Sequence, residues 1–304
     1  MTPRAGAGRS TPVSERRDGA SRIDWTSPGR DKGRGAVDPY RAIDGQADPG
    51  RFARLLEARG GQPHQARLRQ GFLSLVGVRR GMRVLDVGCG TGVVTRDLAA
   101  RVGARGLVAG VDPSRALLGV ARRRVKLATH AARPTFRRGD GLALPFASAS
   151  FDVTLAVTVL LHVPASDRVL GEMVRVTRRG GRVAVLDQDF GTLALDVPDR
   201  ALTRRIVDGH AERFYAEPWS GRTLARRLRL TGLVQVRSRV FVVVDSVYDD
   251  YVRSMLGRRV ELAVAWRLVT AAEGRRWLRS LEAAAARGDF FMSLNYYGVV
   301  GVRP

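Results

Sequence analysis

The chain has 304 residues, of which 44% are hydrophobic and 27% charged, proportions that exclude a disordered or collagen-like polymer and allow one large folded domain or two small ones. A single cysteine, Cys89, and four scattered histidines exclude an internal disulfide and a cysteine/histidine zinc cluster, so no metal is expected and a reducing, cytoplasmic setting is the default. The net charge of +23 comes almost wholly from arginine, because lysine occurs only at Lys32 and Lys126; a codon-level bias of that kind puts arginine on a solvated surface whether or not anything binds there, and without interleaved aromatics nucleic acid is the disfavoured partner.

Residues 1–50 are rich in Gly, Pro, Ser, Asp and Arg with no helical or strand period, which reads as a flexible leader that only Trp25, Tyr40 and Ile43 could anchor. The pair Arg16 and Arg17 is followed by polar sequence and not by the apolar core of an export signal. No run of 18 apolar residues follows anywhere, so membrane insertion is not expected. Residues 51–80 carry apolar positions at helical spacing, broken by Gly60, Gly61 and Pro63, and are read as two helices leading into the main fold.

From Arg83 short β-branched runs alternate with helical stretches: strands at 83–87, 107–111, 134–138, 152–157 and 182–187, and helices around 93–102, 114–127 and 166–177, the last ended by Gly180 and Gly181. This rhythm predicts a doubly wound α/β sheet with ligands at the carboxyl ends of its strands. Further on lie a helical region (198–216), a helix (220–232), an apolar strand (234–244), helical periodicity from 247 to 287 and a final strand at 291–302. The expected organisation is a core over 81–245, a helical insert or lid over 246–290, and a last core strand within 291–304.

The segment that carries chemistry is VLDVGCGTG, Val84 to Gly92. A strand ends at Val87, a glycine loop follows and a helix begins at Val93, so helix-start amides can face a ligand while Gly88, Gly90 and Gly92 allow tight turning around Cys89. The next strand ends in VAGVDPS, placing Asp112 twenty residues past Gly92, where a carboxylate can accept hydrogen bonds from a ribose diol. The third strand ends in RRGDGLALPF, where Asp140 can accept from an adenine amino group while Leu142 packs on the ring. Each aspartate alone could equally be a helix cap or a turn residue.

Taken together, Asp86-x-Gly88-x-Gly90-x-Gly92, Asp112, GDGLALPF and SFDVTLAVTVLLHV resemble the class I S-adenosylmethionine-dependent methyltransferases, in particular the branch of quinone-biosynthesis and natural-product enzymes. The Gly-x-Gly-x-Gly spacing departs from the Gly-x-Gly-x-x-Gly of dinucleotide folds. The resemblance implies a Rossmann-like seven-stranded sheet, mostly parallel with an antiparallel last strand. It also implies that Asp86 and the loop around Gly88 and Gly90 orient the methionine part of S-adenosyl-L-methionine, that Asp112 holds the ribose, that Asp140 and Gly141 address the adenine, and that Pro113 and Leu142 line its faces.

For the methyl acceptor, His162 in LLHVP is the candidate base, against a structural role before Pro164. Asp187 and Asp189 in LDQDFG point to the same mouth and are candidate substrate ligands or helix caps. His210, Tyr215 and Trp219 are candidate pocket walls, and Tyr296 and Tyr297 alternate, so only one can face inward. The insert supplies Tyr248, Tyr251, Met255, Leu256, Leu262 and Trp266 as an apolar cover. With its only cysteine in the glycine loop, the chain cannot be a cysteine-nucleophile cytosine methyltransferase. The expected activity is transfer of a methyl group to an oxygen or carbon of a hydrophobic small molecule; an RNA methyltransferase and a cofactor-binding protein that transfers nothing are the alternatives, and an oligomer is open.

Overall fold

A computed structural model describes residues 38–126 and 132–304. The first 37 residues of the expected leader, Trp25 among them, lie outside the described residues, as do residues 127–131.

From Asp38 onward the segment read as a flexible leader is folded. The Asp38 carboxylate accepts the Tyr40 N–H (3.0 Å) and starts a short 3₁₀ helix, Pro39–Gly45. Its Ile43 is buried with Phe52 and Leu117. Proline fixes φ at the first position of two further helices, α1 (Pro49–Gly61), capped by Asp48, and α2 (Pro63–Val76). Pro63 cannot extend α1 and starts α2 instead.

The chain then alternates between strand and helix: β1 (Arg83–Val87), α3 (Val93–Val102), β2 (Leu107–Asp112), α4 (Arg115–Lys126), β3 (Thr135–Arg138), β4 (Phe151–Val157), α5 (Ser166–Val176) and β5 (Thr177–Leu195). It closes with α6 (Arg200–Phe214), α7 (Ser220–Leu230), β6 (Val234–Asp245), α8 (Asp250–Ala265), α9 (Ala271–Arg287) and β7 (Met292–Val302). The seven strands lie in the order β3-β2-β1-β4-β5-β7-β6. β1 to β5 pair in parallel, and β7 runs antiparallel to both β5 and β6. The chain reverses its direction of growth between β1 and β4, and a doubly wound sheet opens its ligand crevice beyond the carboxyl ends at such a switch point.

Period-two alternation sorts the strand side chains into two cores. Val84, Val153, Leu155, Ala184 and Leu186 pack on one face with α2 and α3. Leu85, Val87, Ala156, Val183 and Val185 pack on the other with α5 and α7. Each of these valines and leucines contributes roughly 1.5–3 kcal/mol on burial. A third cluster joins α6, α8 and α9 through Ile206, Leu256, Trp277 and Leu281. It sits on the overhanging ends of β5 and β7, beyond a register shift between Asp189 and Ala194.

The glycine pair expected to end the helix before β5 has a different place. That helix stops at Val176, and Gly180 (φ 71°) and Gly181 form the first part of β5. A side chain at Gly181 would meet the Asp152 carbonyl oxygen at 2.8 Å, so the glycine is there for close strand approach.

Candidate functional site

A cavity of about 590 Å³ opens at the switch point. One half is built from the tips of β1, β2 and β3, the other from α1, α2, α6, α8 and the far ends of β5 and β7.

The first half follows from the glycine loop. Gly88, Gly90 and Gly92 have φ of 69°, 54° and 78°, in the left-handed region. A Cβ at Gly88 would sit 2.5 Å from Val159 Cγ2, so that position excludes every other residue sterically as well. Four of the loop's N–H groups are already bonded within the protein. Gly88 and Cys89 N–H donate to the Val111 carbonyl (2.8 and 3.0 Å), Gly92 N–H to the Cys89 carbonyl (2.8 Å) and Gly90 N–H to Asp112 Oδ2 (2.8 Å). The loop therefore offers shape and close approach, together with the buried Thr91 hydroxyl, which has no partner among the described residues.

Asp86 and Asp112 stand on either side of this loop. The Asp86 carboxylate is buried and accepts only the Thr95 hydroxyl (2.6 Å). Burial, with the nearby Asp112 and Asp97 charges adding to it against the Thr95 bond, pushes its pKa up to about 7. No cation pairs with it among the described residues. Asp112 uses one oxygen for Gly90 and the other for the Ser114 N–H (2.9 Å), and burial raises its pKa as well. Asp44 caps the start of α4 through Arg115 N–H (2.8 Å) and Ser114 Oγ, locking the Pro39–Gly45 helix to this wall. Pro113, Asp140, Gly141 and Leu142 complete it, with Asp140 exposed at the rim and bonded to its own turn through Leu142 N–H (2.9 Å).

In the second half His162 lies where Tyr40 (4.8 Å between ring centres) and Tyr215 (5.5 Å) flank it. Its Nδ1 faces Oδ2 of Asp38, a buried carboxylate that can only accept when ionised, so in the neutral ring the proton sits on Nδ1 and Nε2 has the lone pair. Tyr215 stacks on Phe190 at 4.5 Å. The Tyr296 hydroxyl accepts from Gln188 Nε2 (2.7 Å) and Gln65 Nε2 (3.2 Å). His210 is buried against Phe214 with Nδ1 unpartnered, and burial followed by the charges of Arg259 and Arg258 holds its pKa well below the usual value. Tyr251 and Met255 of α8 close this side.

Asp86, Gly88, Cys89, Gly90, Asp112, Pro113, Asp140, Gly141, Leu142, His162, His210, Tyr215 and Tyr296 thus share one cavity. Gly92 lies just behind the wall, against Phe136 and Ala121. The two candidates on β5 do not reach the cavity. Asp187 is fully buried on the opposite face and accepts Leu161 N–H (2.9 Å), Ser220 O–H (2.8 Å) and Gln188 N–H (3.1 Å); Asp189 pairs with Arg222 and accepts Gly191 N–H (3.0 Å). The strand period puts Gln188, between them, into the cavity instead. By the same alternation Tyr297 faces Gly221, away from the cavity, and Trp219 is an exposed surface residue.

The sequence reading missed Asp38, Arg59, Gln65, Gln188 and Arg259. Two of these had a signal. Phe52, Leu55, Leu56 and Arg59 fall at i, i+3, i+4 and i+7, as Val252, Leu256, Arg259 and Ala263 fall at i, i+4, i+7 and i+11. Each arginine occupies an apolar stripe, where a charge requires an explanation.

Residues 84–181 match the family described as a methyltransferase domain. The chain is 33% identical over 236 residues to an uncharacterised 37.1 kDa protein in transposon TN4556 of Streptomyces fradiae, an alignment covering 75% of this chain and 64% of that one. It is 39% identical over 111 residues to the ubiquinone/menaquinone biosynthesis C-methyltransferase UbiE of Idiomarina loihiensis, covering 36% and 44%. The chain thus spans less than two thirds of these curated relatives. In fold it is similar to the crystal structure of the YcgJ protein of Bacillus subtilis, with a TM-score of 0.55 at 16% identity over 78% of this chain and 98% of the other.

Proposed function

The chain carries a class I S-adenosylmethionine-dependent methyltransferase domain, and we propose that it transfers a methyl group to an oxygen or carbon of a hydrophobic small molecule of natural-product or quinone type. The observation that carries this reading is the two-part cavity: a glycine-and-aspartate wall that fits the methyl donor, continuous with an aromatic chamber that fits an apolar acceptor. The quinone-biosynthesis name of the UbiE relative supports the acceptor class. No helix among the described residues is long and apolar enough to cross a membrane.

The residues present fit the donor. Asp86 is a buried carboxylate lacking a cation among the described residues, which an ammonium group would supply, and Thr91 holds a buried hydroxyl at the loop with no partner among them. Asp86 would hold the amino end, Asp112 the ribose hydroxyls, Asp140 and Gly141 the adenine, and Pro113 and Leu142 its faces. When bound, S-adenosylmethionine supplies an electrophilic methyl group on a sulfonium. The protein's share is alignment of the acceptor in a chamber that excludes water. For a hydroxyl acceptor, His162 Nε2 takes the proton as the oxygen attacks, and Asp38 fixes the tautomer and stabilises the resulting imidazolium.

Calorimetric titration of S-adenosylmethionine and S-adenosylhomocysteine into the wild type and an Asp112→Ala variant tests the donor site. Saturable binding that weakens in the variant by about 10- to 100-fold is expected, the worth of charge-assisted hydrogen bonds. A folded wild type that binds neither overturns the proposal.

A further inference from the structure

Two guanidinium groups line the aromatic chamber without an acidic partner. Arg259 of α8 is only 5% exposed; its Nη1 donates to the Met255 carbonyl (3.3 Å), its charge lies 5.3 Å from the Phe190 ring, and its Nε is buried with no hydrogen-bond partner among the described residues. Arg59 of α1 donates through Nη2 to Thr158 Oγ1 (2.9 Å). Neither forms an ion pair among the described residues. Both line the cavity that Tyr215 and Tyr251 also line.

The surrounding groups do not neutralise them. Burial raises the phenols of Tyr215 and Tyr251 well above the ordinary value in spite of the two arginines, so both are neutral. His210 is neutral as well. The carboxylates nearest this half have other partners, Asp38 in His162 and Asp245 in His64 at 3.4 Å, and neither forms an ion pair with Arg59 or Arg259 among the described residues. Guanidinium does not deprotonate in proteins, and an uncompensated buried charge is strongly destabilising. A buried Arg259 and a half-buried Arg59 on otherwise apolar helix stripes are the expected arrangement when the missing counter-charge arrives with a ligand.

Resting on the methyltransferase reading for the identity of the chamber, we propose that the acceptor is an amphipathic anion: an apolar body against Phe190, Tyr215, Tyr251 and Met255, with one carboxylate, phosphate or similarly anionic group seated between Arg59 and Arg259. The same two charges disfavour cationic amines, which would enter beside like charges with only Asp38, already bonded to His162, as an acid at hand.

The test uses four probes of equal chain length, octanoate, octyl phosphate, 1-octanol and octylammonium, titrated into the 304-residue chain with and without saturating S-adenosylhomocysteine. The two anions are expected to bind about tenfold or more tighter than octanol, a difference of about 1.4 kcal/mol, with octylammonium weakest. Octanoate against octyl phosphate tells a carboxylate from a phosphate seat. Arg259→Gln is expected to bring the anions level with octanol, while Arg259→Lys keeps part of the preference; Arg59→Gln gives the same readout should the first variant not fold. Octanol binding as tightly as both anions, or an anion preference that survives both glutamine variants, overturns the inference. Titration of S-adenosylhomocysteine alone judges the donor site separately. Failure there with the anion preference intact refutes the methyltransferase reading, and success there without the preference refutes this one.

Discussion

The two halves of the cavity are built by opposite means. The donor wall is local and made largely of backbone: Asp86 to Gly92 is one strand tip and one turn, and Asp112 and Asp140 arrive from the next two strand tips. The acceptor chamber is made of side chains from remote parts of the chain, with Asp38 reaching His162 and Gln65 reaching Tyr296. The donor wall gains its shape from glycine conformations that no other residue adopts at low cost. The acceptor chamber gains its shape from packing, above all the cluster of α6, α8 and α9. A donor site tied to backbone geometry tolerates little change, whereas a chamber walled by side chains can be altered residue by residue without unmaking the fold.

The sharpest way to break this contrast is Gly88→Ala. The left-handed φ and the collision with Val159 together predict a loss of about 3 kcal/mol in stability and no measurable S-adenosylhomocysteine binding. Denaturant melts and calorimetry check both, and a variant that binds normally would show the loop to be plastic. Asp187→Ala probes the acceptor half from behind. It strands the Ser220 hydroxyl and the Leu161 N–H in a buried place, and a loss of about 2 kcal/mol is expected with donor affinity changed less than twofold. A large fall in donor affinity there would mean that the halves are coupled.

The smallest effect is a pH dependence. Asp86 has a raised pKa of about 7, so its neutral form is favoured in the folded state; the stability this contributes is full below the ordinary carboxylate value and is lost as pH rises through 7. A cationic group on the ligand binds the carboxylate, so S-adenosylmethionine affinity should rise about tenfold between pH 5.5 and 7 and then level. Asp86→Asn should flatten that profile. A profile unchanged in the variant would move the titration to another group, with Asp112 next in line.

The sequence was most legible where chemistry is local. The glycine spacing, the three strand-tip aspartates and the alternating strand–helix rhythm placed the donor wall and the sheet, because turn sterics and strand periodicity depend on neighbours only. One error came from that rule applied too loosely. Asp187 and Asp189 were placed at the mouth by their position after a strand, yet the period of two that separates them from Gln188 turns both away. Nor did the sequence show that the N–H groups of Gly88, Cys89, Gly90 and Gly92 bond to Val111, Cys89 and Asp112.

By itself, then, the sequence determined the fold class and pointed to the residues around the glycine loop, since these follow from backbone conformation and short-range pattern. Only the tertiary structure decided which acid holds His162, which face of β5 looks inward, and that Arg59 and Arg259, some two hundred residues apart, share one chamber. Such pairings depend on how helices dock on the sheet, a sum of many weak apolar contacts that no local pattern encodes.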